Sequence, residues 1–437
     1  MRNFLASQGF RKYFANTSWL LGERVSRMAI SLFVGIYIAR YLGPERYGLL
    51  SYALSFVWLF SAFLDLAHRE IIVRELVKTP EQQNLILGSA ILLRFGGAIL
   101  LGIGVAIGLQ FVNNDRQTSL MIGIITLGMT FQSWELIDYY FQSQVQSKFT
   151  VWAQTVQIII TSLIKIALII WKAPLIWFAA VFSFEFVILS ALYLLIYFWR
   201  AGSFPIRSFK INYLIKLLNN SFPLFLTGMA ILIYMKIDQV MLKELAGAQS
   251  VGIYAAAVKL CEVWYPIPVL IAGSLYPAII LVKDTNSALY HSRLQKLYTL
   301  MVWAAFALAI PITFLADWII FILYGNDFSD SIIILRIYVW AGIFVFLSVV
   351  NNKWMVIENY QKYILLTSLI GMSSNIFLNV ILIPHYGASG AAFATLISYG
   401  IGSYLCLFFF PKIRAGFWFA TKTLNPYAGF TLLKHPK

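Results

Sequence analysis

Apolar runs long enough to cross a bilayer follow one another along almost the whole sequence, and no other feature constrains the fold as strongly. About 20 apolar residues in a helix cross the ~30 Å hydrocarbon core. Inside that core only helices and closed barrels satisfy their own backbone groups. Polar punctuation divides the chain into twelve spans. In the first half these are residues 18–40, 47–67, 85–109, 119–141, 151–171 and 174–198. In the second they are 221–243, 252–280, 297–323, 331–357, 361–383 and 388–410. Only 12% of residues are charged, against about 25% in a soluble domain. The expected fold class is therefore an all-α polytopic membrane protein of about 12 transmembrane helices. Residues 1–17 carry Arg2, Arg11 and Lys12 but no short apolar core with a small-residue cleavage site. The first span is accordingly expected to serve as both signal and anchor.

The net charge of +15 would suit nucleic acid, but its distribution points elsewhere. With the N-terminus placed in the cytoplasm, 20 of the 33 Lys and Arg fall in cytoplasmic segments and 4 in outer loops. This is the positive-inside bias. It needs only anionic headgroups as partners and no nucleic acid, and it places both termini in the cytoplasm.

The remaining 9 cations lie inside the spans: Arg24, Arg27, Arg40, Arg94, Lys165, Lys236, Lys259, Arg336 and Lys353. Each costs about 2.5–3.5 kcal/mol at a bilayer centre unless shielded. Arg24 and Arg27 are three apart and share a helix face, and Glu23 is four residues before Arg27. This cluster reads either as a snorkelling set at the end of the first span or as part of a polar cavity. Arg94, Lys165 and Lys236 lie deeper and are expected to line a cavity for an anionic ligand. A guanidinium suits a diphosphate because it donates in a bidentate fork. Snorkelling accounts for Arg40, Arg336 and Lys353, and Lys259 has Glu262 three residues on.

The intramembrane acids are read as Glu23, Asp65, Glu135, Asp138, Glu185, Asp238 and Glu262. Glu135 and Asp138 share a helix face, which suits proton or sodium coupling; the alternative is neutralisation of the nearby cations. Glu135, Asp138, Asp238 and Glu262 are the candidate coupling residues. Asp238 is two residues from Lys236, so the two are expected to face different ways. Pro266, Pro268 and Pro277 fall in the eighth span and Pro311 in the ninth. Proline inside a helix removes a hydrogen bond and kinks it. Pro266, Pro268 and Pro311 are read as candidate hinges, with a static kink as the alternative. In the third span Gly96, Gly97, Gly104 and Gly108 are expected to mark close helix packing.

Cys261 and Cys406 both lie in spans, and the four histidines are far apart, so neither a disulfide framework nor a metal site is expected. A nucleophile, base and orienter set is likewise missing from the sequence. A weak echo joins the halves: Gly43-Pro-Glu-Arg-Tyr-Gly48 opens the second span and Gly247-Ala-Gln-Ser-Val-Gly252 the eighth, 204 residues later. Two same-orientation lobes are expected, over residues 1–205 and 206–410, followed by a basic cytoplasmic tail at 411–437. Related halves of this kind commonly hold substrate at the repeat interface.

Residues Tyr37 to Ala53 (YIARYLGPERYGLLSYA) resemble the junction of the first two spans in Wzx-type polysaccharide flippases, as does Ile71-Ile-Val-Arg-Glu-Leu76. Asn375 to Thr395 (NIFLNVILIPHYGASGAAFAT) is similar to that family's junction of spans eleven and twelve. The resemblance is good for the superfamily of multidrug, oligosaccharidyl-lipid and polysaccharide exporters. It implies two six-helix lobes around a central cavity and translocation of an undecaprenyl-diphosphate-linked oligosaccharide from the cytoplasmic to the outer leaflet by alternating access. It further implies a bacterial cytoplasmic membrane, membrane lipids and polysaccharide polymerase or export proteins as partners, no cofactor, and coupling to a proton or sodium gradient. It also favours Arg24 and Arg27 as cavity residues. One departure concerns the lipid II branch, which has two further C-terminal helices where this sequence has a 27-residue basic tail after Phe410. The alternatives are a cation-coupled drug exporter on the same fold and, ranked lower, a membrane glycosyltransferase, polymerase or ligase. Such enzymes place catalysis in long outer loops, and every outer loop here is expected to be short.

Overall fold

The computed structural model describes the backbone of residues 8–202 and 204–424, and side chains from Ser26 onward. Every regular element among the described residues is helical, with no strand among them. The first half contains α1 (Gln8–Phe60), α2 (Arg69–Lys78), α3 (Gln83–Gly108), α4 (Arg116–Thr130), α5 (Leu136–Ser143), α6 (Lys148–Ile170) and α7 (Leu175–Ala201). Then come α8 (Ile211–Glu262), α9 (Pro266–Lys283), α10 (Ser287–Leu323), α11 (Ser331–Tyr338), α12 (Ala341–Ile357), α13 (Gln361–Gly400), α14 (Cys406–Phe409) and α15 (Arg414–Thr423).

Nine helical stretches among the described residues are long and apolar enough to cross a membrane. Three of them break at a glycine: Gly43 in α1, Gly247 in α8 and Gly387 in α13. Cut there, the nine become twelve segments. Gly43 (φ 70°, ψ 170°) and Gly247 (φ 85°, ψ 169°) hold nearly the same conformation, in a region that only glycine visits without strain. These are the two glycines that the sequence echo pairs. The fifth and sixth spans part at a tight turn in which Lys172 takes a positive φ of 53°. The Ala173 N–H closes it on the Leu168 carbonyl at 2.9 Å.

The chain divides into two compact units. One comprises the residues up to Leu42 with Tyr52–Leu232, and the other comprises Gly43–Ser51 with the chain from Ile233 onward. The sequence boundary at 205/206 lies inside the first unit. The first unit's core gathers Ile72, Leu87, Ile91, Leu136, Tyr193 and Tyr197. Gly97 lets α3 close on the backbone of Phe63, and Gly104 and Gly108 accept the Phe60 ring; Gly96 faces open space. Short 3-10 turns at Ser61–Asp65 and Phe131–Glu135 interrupt the second and fourth spans.

In the second unit the helix starts after Gly43 and Gly247 cross reciprocally. A Cβ on Gly48 would sit 1.8 Å from the Ala248 carbonyl oxygen, and one on Gly252 would sit 1.9 Å from that of Pro44. This contact explains why 43–51 packs with the second unit. The eighth span breaks at Trp264 and Tyr265, so Pro266 stands at the first helical position of α9, where its missing N–H is harmless. Pro268 is buried in the first turn, and Pro277 and Pro311 are interior to α9 and α10. The region expected as a tail contains α15, whose Phe419 stacks on His291 and Tyr298.

Two other expectations are corrected. Residues 68–84, read as a loop, are mostly helix, because α2 continues the second span past the turn at Leu66–His68. The ninth span, read as 297–323, starts ten residues earlier, since a helix need not stop where polarity begins. Outside the spans, Asp115 caps α4 by accepting the Thr118 N–H at 3.2 Å. The adjoining Thr118 side chain and that N–H hold the Asp115 carboxyl below its ordinary value. Asp115→Ala is expected to cost about 1 kcal/mol near neutral pH. Because the folded carboxyl is the stronger acid, its contribution is present above the ordinary carboxylate range and disappears as pH falls through the folded value. The wild-type and variant unfolding midpoints should therefore converge in acid.

Candidate functional site

In the first unit, apolar α3 brings Arg94 into the helix bundle, where 1% of it is exposed. Its Nη1 donates to Tyr139 Oη at 2.7 Å. Its Nη2 donates to the Gln132 carbonyl and to Glu135 Oε2, both at 3.2 Å. The 3-10 turn at Phe131–Glu135 loosens the regular helix ladder and leaves carbonyls to external donors: Ser190 Oγ takes Phe131 and Arg94 takes Gln132. Arg94 Nε has no partner. Arg69 of α2 approaches the same Tyr139 ring, and both guanidinium carbons lie 5.2 Å from its centroid. Arg69 pairs with Asp138 and donates from Nε to Gln142 Oε1 at 3.1 Å. Arg27 acts electrostatically on Asp138, and Asp65 contacts His68 at 3.4 Å. The result is an alternating network of Arg69, Arg94, Glu135 and Asp138 around Tyr139.

Glu135 and Asp138 therefore have separate cationic partners. Lys165 of α6 pairs with Glu185 of α7 and lies 4.0 Å from the Phe182 ring centroid. Lys165 is only 8% exposed, so like Arg94 it is enclosed by protein. Arg27 is partly exposed, and the Arg24 side chain lies outside the described residues.

In the second unit, Lys236 reaches Glu262 at 3.3 Å, with both side chains partly exposed. Glu262 forms an ion pair across the Gly247 break. Lys236 and Asp238 do face apart. Asp238 is 2% exposed and, among the described residues, is held by neutral groups. Tyr254 Oη and Thr395 Oγ1 reach its Oδ2 at 2.6 Å, and Asn379 Nδ2 reaches its Oδ1 at 2.6 Å. Asn379 Nδ2 also donates to Asn375 Oδ1 at 3.2 Å. The single Thr395 proton has a second acceptor in the Ala391 carbonyl at 3.0 Å. Asn379 Oδ1 is buried without a partner among the described residues, and the Asn375 side chain acts on Asp238. An ionised carboxylate enclosed by neutral dipoles is costly. The three donors offset part of that cost, and a proton on Asp238 would remove the charge itself. Among the described residues no group of three or more His, Cys, Asp or Glu could hold a metal ion.

Sequence reasoning singled out Asp238 but missed Tyr254, Asn375, Asn379 and Thr395. Asn375 and Asn379, four apart in an apolar span, were a readable signal of a shared polar face. It also missed Asp317, an eighth acid inside the ninth span, which pairs with Arg336 at 2.5 Å. Lys353 lies 5.1 Å from the Tyr276 ring centroid.

Buried charges held within long apolar helices mark a polytopic membrane protein, and solved structures share its fold. It is similar to the lipid II flippase MurJ in an inward closed conformation, with a TM-score of 0.72 at 16% identity, covering 97% of this chain and 94% of that one. It is similar also to an inward-facing multidrug resistance MATE family transporter of the MOP superfamily, with a TM-score of 0.72 at 12% identity, covering 94% and 96%. The fold is the one these two solved structures share. The chain belongs to the polysaccharide biosynthesis protein family, which it matches over residues 13–282. It is also 29% identical over 209 residues to a "Probable flippase AglR" of Haloferax volcanii, a match spanning 44% of this chain and 40% of that relative.

Proposed function

We propose that the protein translocates a lipid-linked oligosaccharide, carried on undecaprenyl diphosphate, from the cytoplasmic to the outer leaflet of a bacterial inner membrane by alternating access, with both termini in the cytoplasm. It acts as a transporter and not an enzyme. The observation that carries this reading is membership of the polysaccharide biosynthesis family, supported by the likeness to proteins described as flippases. Polysaccharide polymerase or export proteins would receive the product.

On this reading the intramembrane charges divide by task. Arg94 and Lys165 are enclosed and neutralised, so they organise their helices. Arg27 and Lys236 are partly exposed and suit contact with the diphosphate. Asp238 and its neutral cage suit a coupling proton or sodium ion, in keeping with intramembrane carboxylates serving as ion relays. Glu262 and Glu135 balance cations.

Depletion of the protein in its native cell, with leaflet-resolved labelling of lipid-linked glycan, tests the reading. Completed glycan should accumulate on the inner leaflet, and an unchanged distribution would reject it. Asp238→Asn is expected to abolish the response of transport to an imposed sodium or proton gradient while leaving the protein folded; an unchanged response removes Asp238 from coupling. The equal TM-score to a multidrug transporter favours one second reading, cation-coupled drug export. Efflux of cationic dyes with glycan distribution unchanged on depletion would select it.

A further inference from the structure

We propose that the segment joining α7 to α8 forms a binding site for the headgroup of an anionic phospholipid of the surrounding membrane. A cavity of about 560 Å³ is lined by Leu85, Lys210, Ile211, Asn212, Tyr213 and Lys216. None of the six is acidic. Glu75, which acts on Tyr213, is itself paired with Arg74 at 3.0 Å. Lys210 and Lys216 are both exposed, and the Lys216 ammonium lies 5.5 Å from the Tyr213 ring centroid. They bracket the cavity with the point charges that a phosphodiester requires.

The same segment supplies what the acyl chains require. Ile206, Phe209, Ile211 and Ile215 are 43–62% exposed, interleaved with Arg207, Lys210 and Lys216. Basic residues alternating with apolar ones, between two membrane-spanning helices, are the composition of a surface that lies in a headgroup layer. The site is held by backbone: a Cβ on Gly88 would meet the Ser208 carbonyl at 2.4 Å and that of Pro205 at 2.6 Å. The connection therefore lies directly on the start of α3. An open, mainly apolar groove with two ammonium groups beside it can hold one lipid's chain next to its phosphate, whereas a bare cluster of loop charges only concentrates many.

Native mass spectrometry of the full-length protein, titrated with phosphatidylglycerol or phosphatidylcholine of matched chains, tests this. Phosphatidylglycerol should be retained about 30-fold more strongly, since each of the two Lys near an anionic headgroup is worth about fivefold. Lys210→Gln/Lys216→Gln should weaken phosphatidylglycerol retention about 30-fold and leave phosphatidylcholine unaffected. Lys283→Gln/Lys412→Gln, as a charge-matched control, should change neither. Leu85→Trp, which fills the cavity with both lysines kept, should weaken retention as well. Equal retention of the two lipids, or an unaltered double lysine variant, overturns the proposal. So does displacement by inorganic diphosphate at matched concentration, which would make the site one for free phosphate. The outcome is independent of the transported substrate.

Discussion

Gly48→Ala and Gly252→Ala are each expected to lower the thermal midpoint of the purified protein by several degrees, and together to prevent accumulation of folded protein. The added carbon would lie 1.8 Å from the Ala248 oxygen in one case and 1.9 Å from the Pro44 oxygen in the other. Both obstacles are backbone, so no side chain can swing away, and the two helix starts must move apart. Overpacking costs about 1–3 kcal/mol per site where relaxation is possible. Here the two contacts are reciprocal and share one crossing, so a single substitution strains both. Gly96→Ala is the control, because nothing lies within 4 Å of that position. It should be neutral or stabilising by up to about 1 kcal/mol, from helix propensity alone. Equal behaviour of Gly48→Ala and Gly96→Ala in a thermal unfolding scan would refute the reciprocal contact.

Arg94→Met should destabilise the protein by about 3 kcal/mol, the low end of the cost of breaking a buried ion pair from one side, because the Glu135 side chain left behind is 30% exposed. Glu135 would lose its cation, and the Tyr139 hydroxyl and Gln132 carbonyl would lose their donor. The double variant Arg94→Met/Glu135→Leu should recover much of that loss, because a well-packed apolar pair replaces the ion pair at little net cost. A double-mutant cycle on unfolding free energy gives the coupling directly. Additive effects would show that Arg94 and Glu135 do not act on each other. Lys236→Met should be milder, since both members of that pair are partly exposed to a competing polar environment.

Polarity and period made the helical architecture readable, because a bilayer leaves a chain with runs like Ile86–Leu101 almost no other choice. The Gly43 and Gly247 echo was equally readable, and its meaning became clear only with backbone angles. Which charges meet was not readable. Arg94 and Glu135 are 41 residues apart, and Lys165 and Glu185 are 20 apart on neighbouring helices. No local spacing rule reaches that far. Arg69 was placed in a loop because charge ended the apolar run, whereas the helix resumes there and carries its guanidinium back to Asp138. The Asp238 cage draws on residues more than 140 positions away, which hydropathy alone cannot bring together.

On the proposed function, the protein moves a lipid-linked saccharide across a bilayer. The most direct measurement uses sealed vesicles holding the purified protein and a fluorescent polyprenyl-diphosphate-linked oligosaccharide, probed by an impermeant glycosidase. With the protein present and a cation gradient applied, the fraction of headgroup cleaved should rise from the outer-leaflet share towards the whole. Cleavage that stops at the outer-leaflet share, as in vesicles without protein, would contradict the account.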